Sequence, residues 1–143
     1  MKVLAFLQNP WFPEGTKEEH IEKYRTDDKF RRRVLAMSET GKRLLKAFGE
    51  ETYDEIVWDN VAPAHTSHSR GITPADPDHI QAAITSNNPD LVLVFGIHAA
   101  KALKGLWYGE TKACPHPMKT GMRISTLVDF AMEVKTWVNI HSI

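Results

Sequence analysis

"LVLVF", Leu91–Phe95, is an unbroken apolar run between "NPD" (88–90) and Gly96. A strand with one wet face would alternate apolar and polar residues. Continuous hydrophobicity over five residues predicts a strand covered on both faces. Three further short runs fit strands: Val3–Leu7, Ile56–Val61 ("IVWDNV") and, more weakly, Thr111–Cys114. Helical stretches separate them. "KEEHIEKYRTDDKFRRRVLAM" (17–37) is charged and partly amphipathic, and "SETGKRLLKAFG" (38–49) stops at Gly49. "DPDHIQAAITSN" (76–87) has Asp76 as N-cap and Pro77 at the first helical position. "GIHAAKALKGL" (96–106) and "ISTLVDFAMEVKTWV" (124–138) complete the set. Alternating strands and helices predict an α/β fold, a three-layer α/β/α sandwich around a central, mainly parallel four-stranded sheet. Residues 1–143 read as a single domain, with no internal repeat, low-complexity tract or long linker.

The chain is 42% hydrophobic and 25% charged, which excludes wholesale disorder. Lys plus Arg and Asp plus Glu number 18 each, so net charge does not indicate a polyanionic partner. The distribution is less even. Between Gly96 and Arg123, Lys101, Lys104, Lys112, Lys119 and Arg123 stand against a single acid, Glu110, a local bias suited to phosphates but more commonly a solvated surface. The single cysteine, Cys114, excludes an internal disulfide and an all-cysteine metal or iron–sulfur site. No apolar run approaches a membrane span. The N-terminal run lacks a small-residue cleavage site and reads as a core strand, so a cytoplasmic setting is expected.

In parallel α/β sheets, ligands bind beyond the carboxyl ends of the strands. Asn9, Asn60, Gly96 and His116 fall at or just after those ends. The first exit, "LQNPWFP" (7–13), carries two large aromatics that are costly to leave in water. By residue type alone, Asn9 reads first as a strand-end turn residue, whereas Asn60 fits a strand end and a site equally. His65 and His68 ("HTSH") have roughly metal-like spacing but no third ligand, and no metal or cofactor is expected.

These exits, in order, resemble the motifs of the uracil-DNA glycosylase superfamily. "VLAFLQNPWFP" is similar to its first motif, a strand followed by an acidic residue or asparagine and then proline. "GKRLLKAFG…IVWDNVAP" resembles the helix and strand that carry a base-reading asparagine. "GITPADPDHIQAAITSNNPDLVLVFGIHAAKAL" resembles the Thr-Pro loop, helix, buried strand and alanine-rich helix that follow. "CPHPMKTGMR" is similar to the last motif, His-Pro and a loop that wedges into the duplex.

The resemblance implies a DNA glycosylase that hydrolyses the N-glycosidic bond of uracil or a modified pyrimidine flipped out of DNA. It implies that Asn9 orients the attacking water and that His116 hydrogen-bonds the leaving base. Asn60 would read the base edge, with a carboxamide that both donates and accepts. Trp11 would crowd the 5-position, Phe12 or Phe30 would stack on the base, and Met118 or Met122 would enter the stack. Lys119 and Arg123 would face phosphates, and a monomer acting on DNA is expected. Two departures stand out: an amide at position 9 cannot take a proton as a carboxylate can, and Met118 replaces the usual serine. The alternatives are a non-catalytic DNA- or nucleobase-binding module, and an enzyme of free nucleotides.

Overall fold

The computed structural model describes residues 1–68 and 71–142. Four strands, β1 (Val3–Leu7), β2 (Ile56–Asn60), β3 (Leu91–Phe95) and β4 (Thr111–Cys114), form one sheet in the order β2-β1-β3-β4. Every pairing is parallel, with Leu7 opposite Asn60 and Phe95 opposite Cys114. All four carboxyl ends therefore emerge along one edge. The two central strands, β1 and β3, are buried at every residue, which accounts for their continuous hydrophobicity. On the edge strand β4, only Cys114 is buried, and burial pushes its thiol pKa up to about 11.

Seven helices occur among the described residues: α1 (Glu18–Thr26), α2 (Asp28–Met37), α3 (Glu39–Phe48), α4 (Glu50–Glu55), α5 (Pro77–Asn87), α6 (Ile97–Leu103) and α7 (Ile124–His141). Alternation along the strands assigns each side chain to a layer. Val3, Ala5, Leu7, Leu91, Leu93 and Phe95 pack with Leu35 of α2, Leu44 and Phe48 of α3, and Leu127 and Phe130 of α7. Leu4, Phe6, Val92 and Val94 pack on the other face with Ile80 and Ile84 of α5 and Ala99 and Leu103 of α6. This is the expected α/β/α sandwich. Among the described residues, no helix is long and apolar enough to cross a membrane.

Three local features differ from the sequence expectation. The charged stretch 17–37 is two helices rather than one, because the Asp27 side chain accepts the Phe30 N–H and caps a new helix. Gly49, at φ 83°, ends α3 as expected and also starts α4, a short helix without a clear apolar period. The second strand stops at Asn60, and Val61 instead donates to the Leu7 carbonyl. At the start of α5, Asp76 accepts from the backbone N–H groups of Asp78 and His79 as expected.

The edge strand β2 is covered by a buried cation. Arg31 of α2 donates from Nε to the Trp58 carbonyl at 2.6 Å, and from Nη1 to the carbonyls of Tyr24 and Arg25. Its Nη2 pairs with Asp28. One guanidinium thus joins the α1–α2 corner to a strand edge that would otherwise lack partners.

Candidate functional site

The helices between β1 and β2 lie largely on one face of the sheet, whereas α6, after β3, lies on the other. The chain therefore leaves β1 and β3 in opposite directions, which opens a crevice at their carboxyl ends. A cavity of about 620 Å³ lies at this edge, within the usual range for small-ligand sites. Asn9, Asn60 and His116 all line it, together with Trp11, Phe12 and Met118. A second cavity of about 580 Å³ lies beside the exits of β3 and β4, sharing Gln8, His116 and Met118 and reaching Lys119.

Asn9 is tied to the loop that follows β2. Its Nδ2 donates to the Pro10 and Gly71 carbonyls at 3.1 and 3.2 Å, and its Oδ1 accepts from the Thr73 N–H at 3.5 Å. Beside it, Phe12 and Thr66 donate in turn to Thr66 and Pro10, and Trp11 forms an isolated parallel bridge with Thr66. The aromatic loop is thus backed by Thr66, Gly71 and Thr73, which explains how it keeps order after the strand ends. Phe12 is buried, edge-on to Tyr24 and His65, whereas Trp11 is 43% exposed at the rim. Phe30 is outside the cavity lining and packs beside His20 and under Lys23.

Asn60 is buried. Its Nδ2 donates to the Tyr24 hydroxyl at 2.8 Å, and its backbone N–H donates to Asp59 Oδ1. The same Asp59 oxygen lies 2.9 Å from His79 Nε2, and this hydrogen bond raises the His79 pKa against the opposing effect of burial.

His116 follows the fourth strand, where the left-handed Gly96 (φ 94°) allows close approach. A Cβ at position 96 would lie 3.3 Å from His116 Cβ. The Met118 N–H donates to His116 Nδ1 at 3.1 Å. With Nδ1 accepting, the neutral ring carries its proton on Nε2. Burial lowers the His116 pKa, which further favours the neutral ring at neutral pH.

The rest of this loop divides. Met118 is 50% exposed and lines both cavities, while Met122 packs partly against the core and its carbonyl accepts from Arg43. Lys119 is exposed at the second cavity, and Arg123 is exposed at the N-cap of α7, where the helix dipole disfavours a cation. Lys112 is paired with Glu133, which reduces the local basic excess.

The chain matches no family model and no curated protein sequence. Among the described residues, no three His, Cys, Asp or Glu side chains group as metal ligands. His65 lies against Phe12 with its Nδ1 buried and unpartnered among those residues, and His68 is exposed.

Sequence reasoning passed over Tyr24, Arg31, the Asp59–His79 pair and Met37. Met37, at the end of α2, is 76% exposed on the cavity rim. Its signal in the sequence was only an apolar residue before the Ser38 cap.

Proposed function

We propose that the protein is a hydrolytic DNA glycosylase that removes uracil or a modified pyrimidine flipped out of DNA. The observation that carries this reading is His116, whose Nδ1 accepts from the Met118 N–H and so leaves Nε2 to carry the proton, on the wall of a cavity also lined by Asn9 and Asn60. Extruding the base from the stack gives the pocket access to its edge and to the glycosidic bond. As the C1′–N1 bond breaks, its electron pair leaves with the base and negative charge develops on a base carbonyl. The Nε2–H donates to that oxygen in a site where water is displaced, so the interaction strengthens toward the transition state. Water forms the new C1′–O bond, held by Asn9 Oδ1, and its proton passes to the departing base through solvent.

Trp11 walls the base pocket at the 5-position, and Phe12 packs beneath it. Met118, the more exposed of the two loop methionines, enters the gap left in the stack. Lys119 and Arg123 take phosphates, and the protein acts as a monomer on DNA in the cytoplasm.

Oligonucleotides bearing uracil, hydroxymethyluracil, hypoxanthine or modified cytosines test the reaction, with alkali to cut abasic sites. Alkali-dependent cleavage at uracil or a modified pyrimidine is expected. Intact strands throughout the panel would exclude glycosylase activity on these bases.

One observation favours a second reading, a base-binding module without hydrolysis. The Asn9 amide nitrogen is engaged with two backbone carbonyls, and an amide oxygen positions water without accepting its proton. Retarded migration of uracil-containing DNA without cleavage would favour that module.

A further inference from the structure

Tyr24 lies on α1, outside every strand exit, yet its side chain reaches the base-reading position. The ring is buried edge-on to Phe12, with centroids 5.3 Å apart and planes at 86°. Its carbonyl is fixed by Arg31 Nη1 at 2.9 Å. Its hydroxyl accepts from Asn60 Nδ2 at 2.8 Å. Burial pushes the Tyr24 pKa up to about 12, so the hydroxyl stays neutral across the physiological range. Asn60 is fixed from its own backbone as well, through Asp59.

The pairing leaves the Asn60 carboxamide asymmetric. Its nitrogen is engaged, whereas Oδ1 has no hydrogen bond among the described residues, and Asn60 lines the cavity. We infer that Tyr24 is a positioning residue that anchors Asn60, engaging its amide nitrogen in the orientation that leaves its carbonyl oxygen for the base. This rests on the base-pocket reading above.

The ligand class follows from the donors and acceptors. The base must offer an N–H to Asn60 Oδ1, and its carbonyl must accept from His116 Nε2–H. A ring N–H flanked by carbonyls meets both needs, as in uracil and its 5-substituted relatives. Cytosine places an unprotonated ring nitrogen where uracil has N3–H, which sets lone pair against lone pair. A reversed Asn60 amide would accept the Tyr24 hydroxyl proton and turn N–H groups to the cavity, favouring cytosine instead.

Free uracil, 3-methyluracil and cytosine, titrated calorimetrically into wild type and Tyr24→Phe, test this without requiring catalysis. Phenylalanine keeps the ring packing and removes only the hydroxyl; thermal unfolding checks that the fold persists. Wild type is expected to bind uracil about tenfold or more tightly than the other two bases, the scale of one buried hydrogen bond lost or left unmade. In Tyr24→Phe the uracil-to-cytosine ratio should fall toward one, which a purely structural role for the hydroxyl would not produce. Wild type binding cytosine as well as or better than uracil would overturn the polarity assignment while keeping the base pocket. An unchanged ratio in Tyr24→Phe would remove Tyr24 from recognition. Failure of wild type to bind any of the three would overturn the base-pocket reading beneath it.

Discussion

At the exits of β1 and β2, Asn9 and Asn60 are held by segments remote in sequence: Gly71 and Thr73 hold Asn9, and Tyr24 holds Asn60. At the exit of β4, the 115–123 loop is tied mostly to itself. Met118 donates to His116 Nδ1, Lys119 to the His116 carbonyl and Met122 to the Lys119 carbonyl, with Arg43 reaching in at the far end. The β1–β2 wall is therefore fixed by the fold, and the β4 wall is a short self-bonded turn with exposed Met118 and Lys119. A fixed wall suits reading a small base, because recognition needs side chains locked by their supporting shell. An exposed wall suits a large partner, which meets it on its open side.

The strongest way to break this contrast is at Arg31. Arg31→Ala should cost about 3 kcal/mol, because it leaves the Trp58, Tyr24 and Arg25 carbonyls without their donor and opens a cavity beneath the fixed wall. Met118→Ala should cost less than about 0.5 kcal/mol, as expected for an exposed side chain. Urea denaturation of both variants checks the difference; comparable losses would mean that the two walls are equally integrated.

Chemistry divides the walls less sharply, since His116 belongs to the exposed loop but faces the cavity. His116→Ala should slow single-turnover base release about 100-fold, the scale of losing one preorganised donor to a developing oxyanion. Affinity for substrate DNA should change little, because phosphate contacts supply most of it. Retained cleavage would move the oxyanion donor elsewhere.

A smaller effect is expected for Met118→Ala, about threefold to tenfold, on cleavage of paired duplex relative to single strands, where no stack has to be opened. Met122→Ala should instead lower stability, since its side chain packs against the core. If the duplex-to-single-strand ratio follows Met122 rather than Met118, the assignment of the exposed wall is wrong.

The smallest expected effect concerns the two histidines, whose pKa values move in opposite directions. His79 is raised by Asp59, so its stabilising contribution is complete below the ordinary histidine pKa and is lost as pH rises through its folded value. His116 is lowered by burial, so stability falls as pH drops from the ordinary histidine pKa through its folded value. Melting temperatures from pH 5 to 8 should tilt toward alkaline stability in His79→Gln and toward acid stability in His116→Gln. Parallel shifts in both variants would contradict the assigned environments.

The sheet was legible because its information is local. "LVLVF" and "VLAFL" are continuous because both strands are central, and the weaker "TKAC" is weak because it is an edge. The strand-exit rule then brought Asn9, Asn60 and His116 to one cavity, although the roles proposed for them came from resemblance rather than from pattern. What escaped is what folding adds at long range. Tyr24 meets Asn60 across 36 positions and Arg31 meets Trp58 across 27, and no periodicity encodes either pairing. The break at Asp27 was also missed: charged residues on both sides continued a helical pattern through a residue better used as a cap.

On the proposed function, the fixed wall reads a flipped base for excision. Its most direct test compares wild type and Asn60→Ala on one uracil-containing duplex, with single-turnover base release and DNA affinity measured on the same samples. Base release should fall about 100-fold or more in Asn60→Ala, with duplex affinity within about threefold of wild type, because phosphate contacts dominate binding. Equal base-release rates in the two proteins, or no base release by wild type, would contradict this reading.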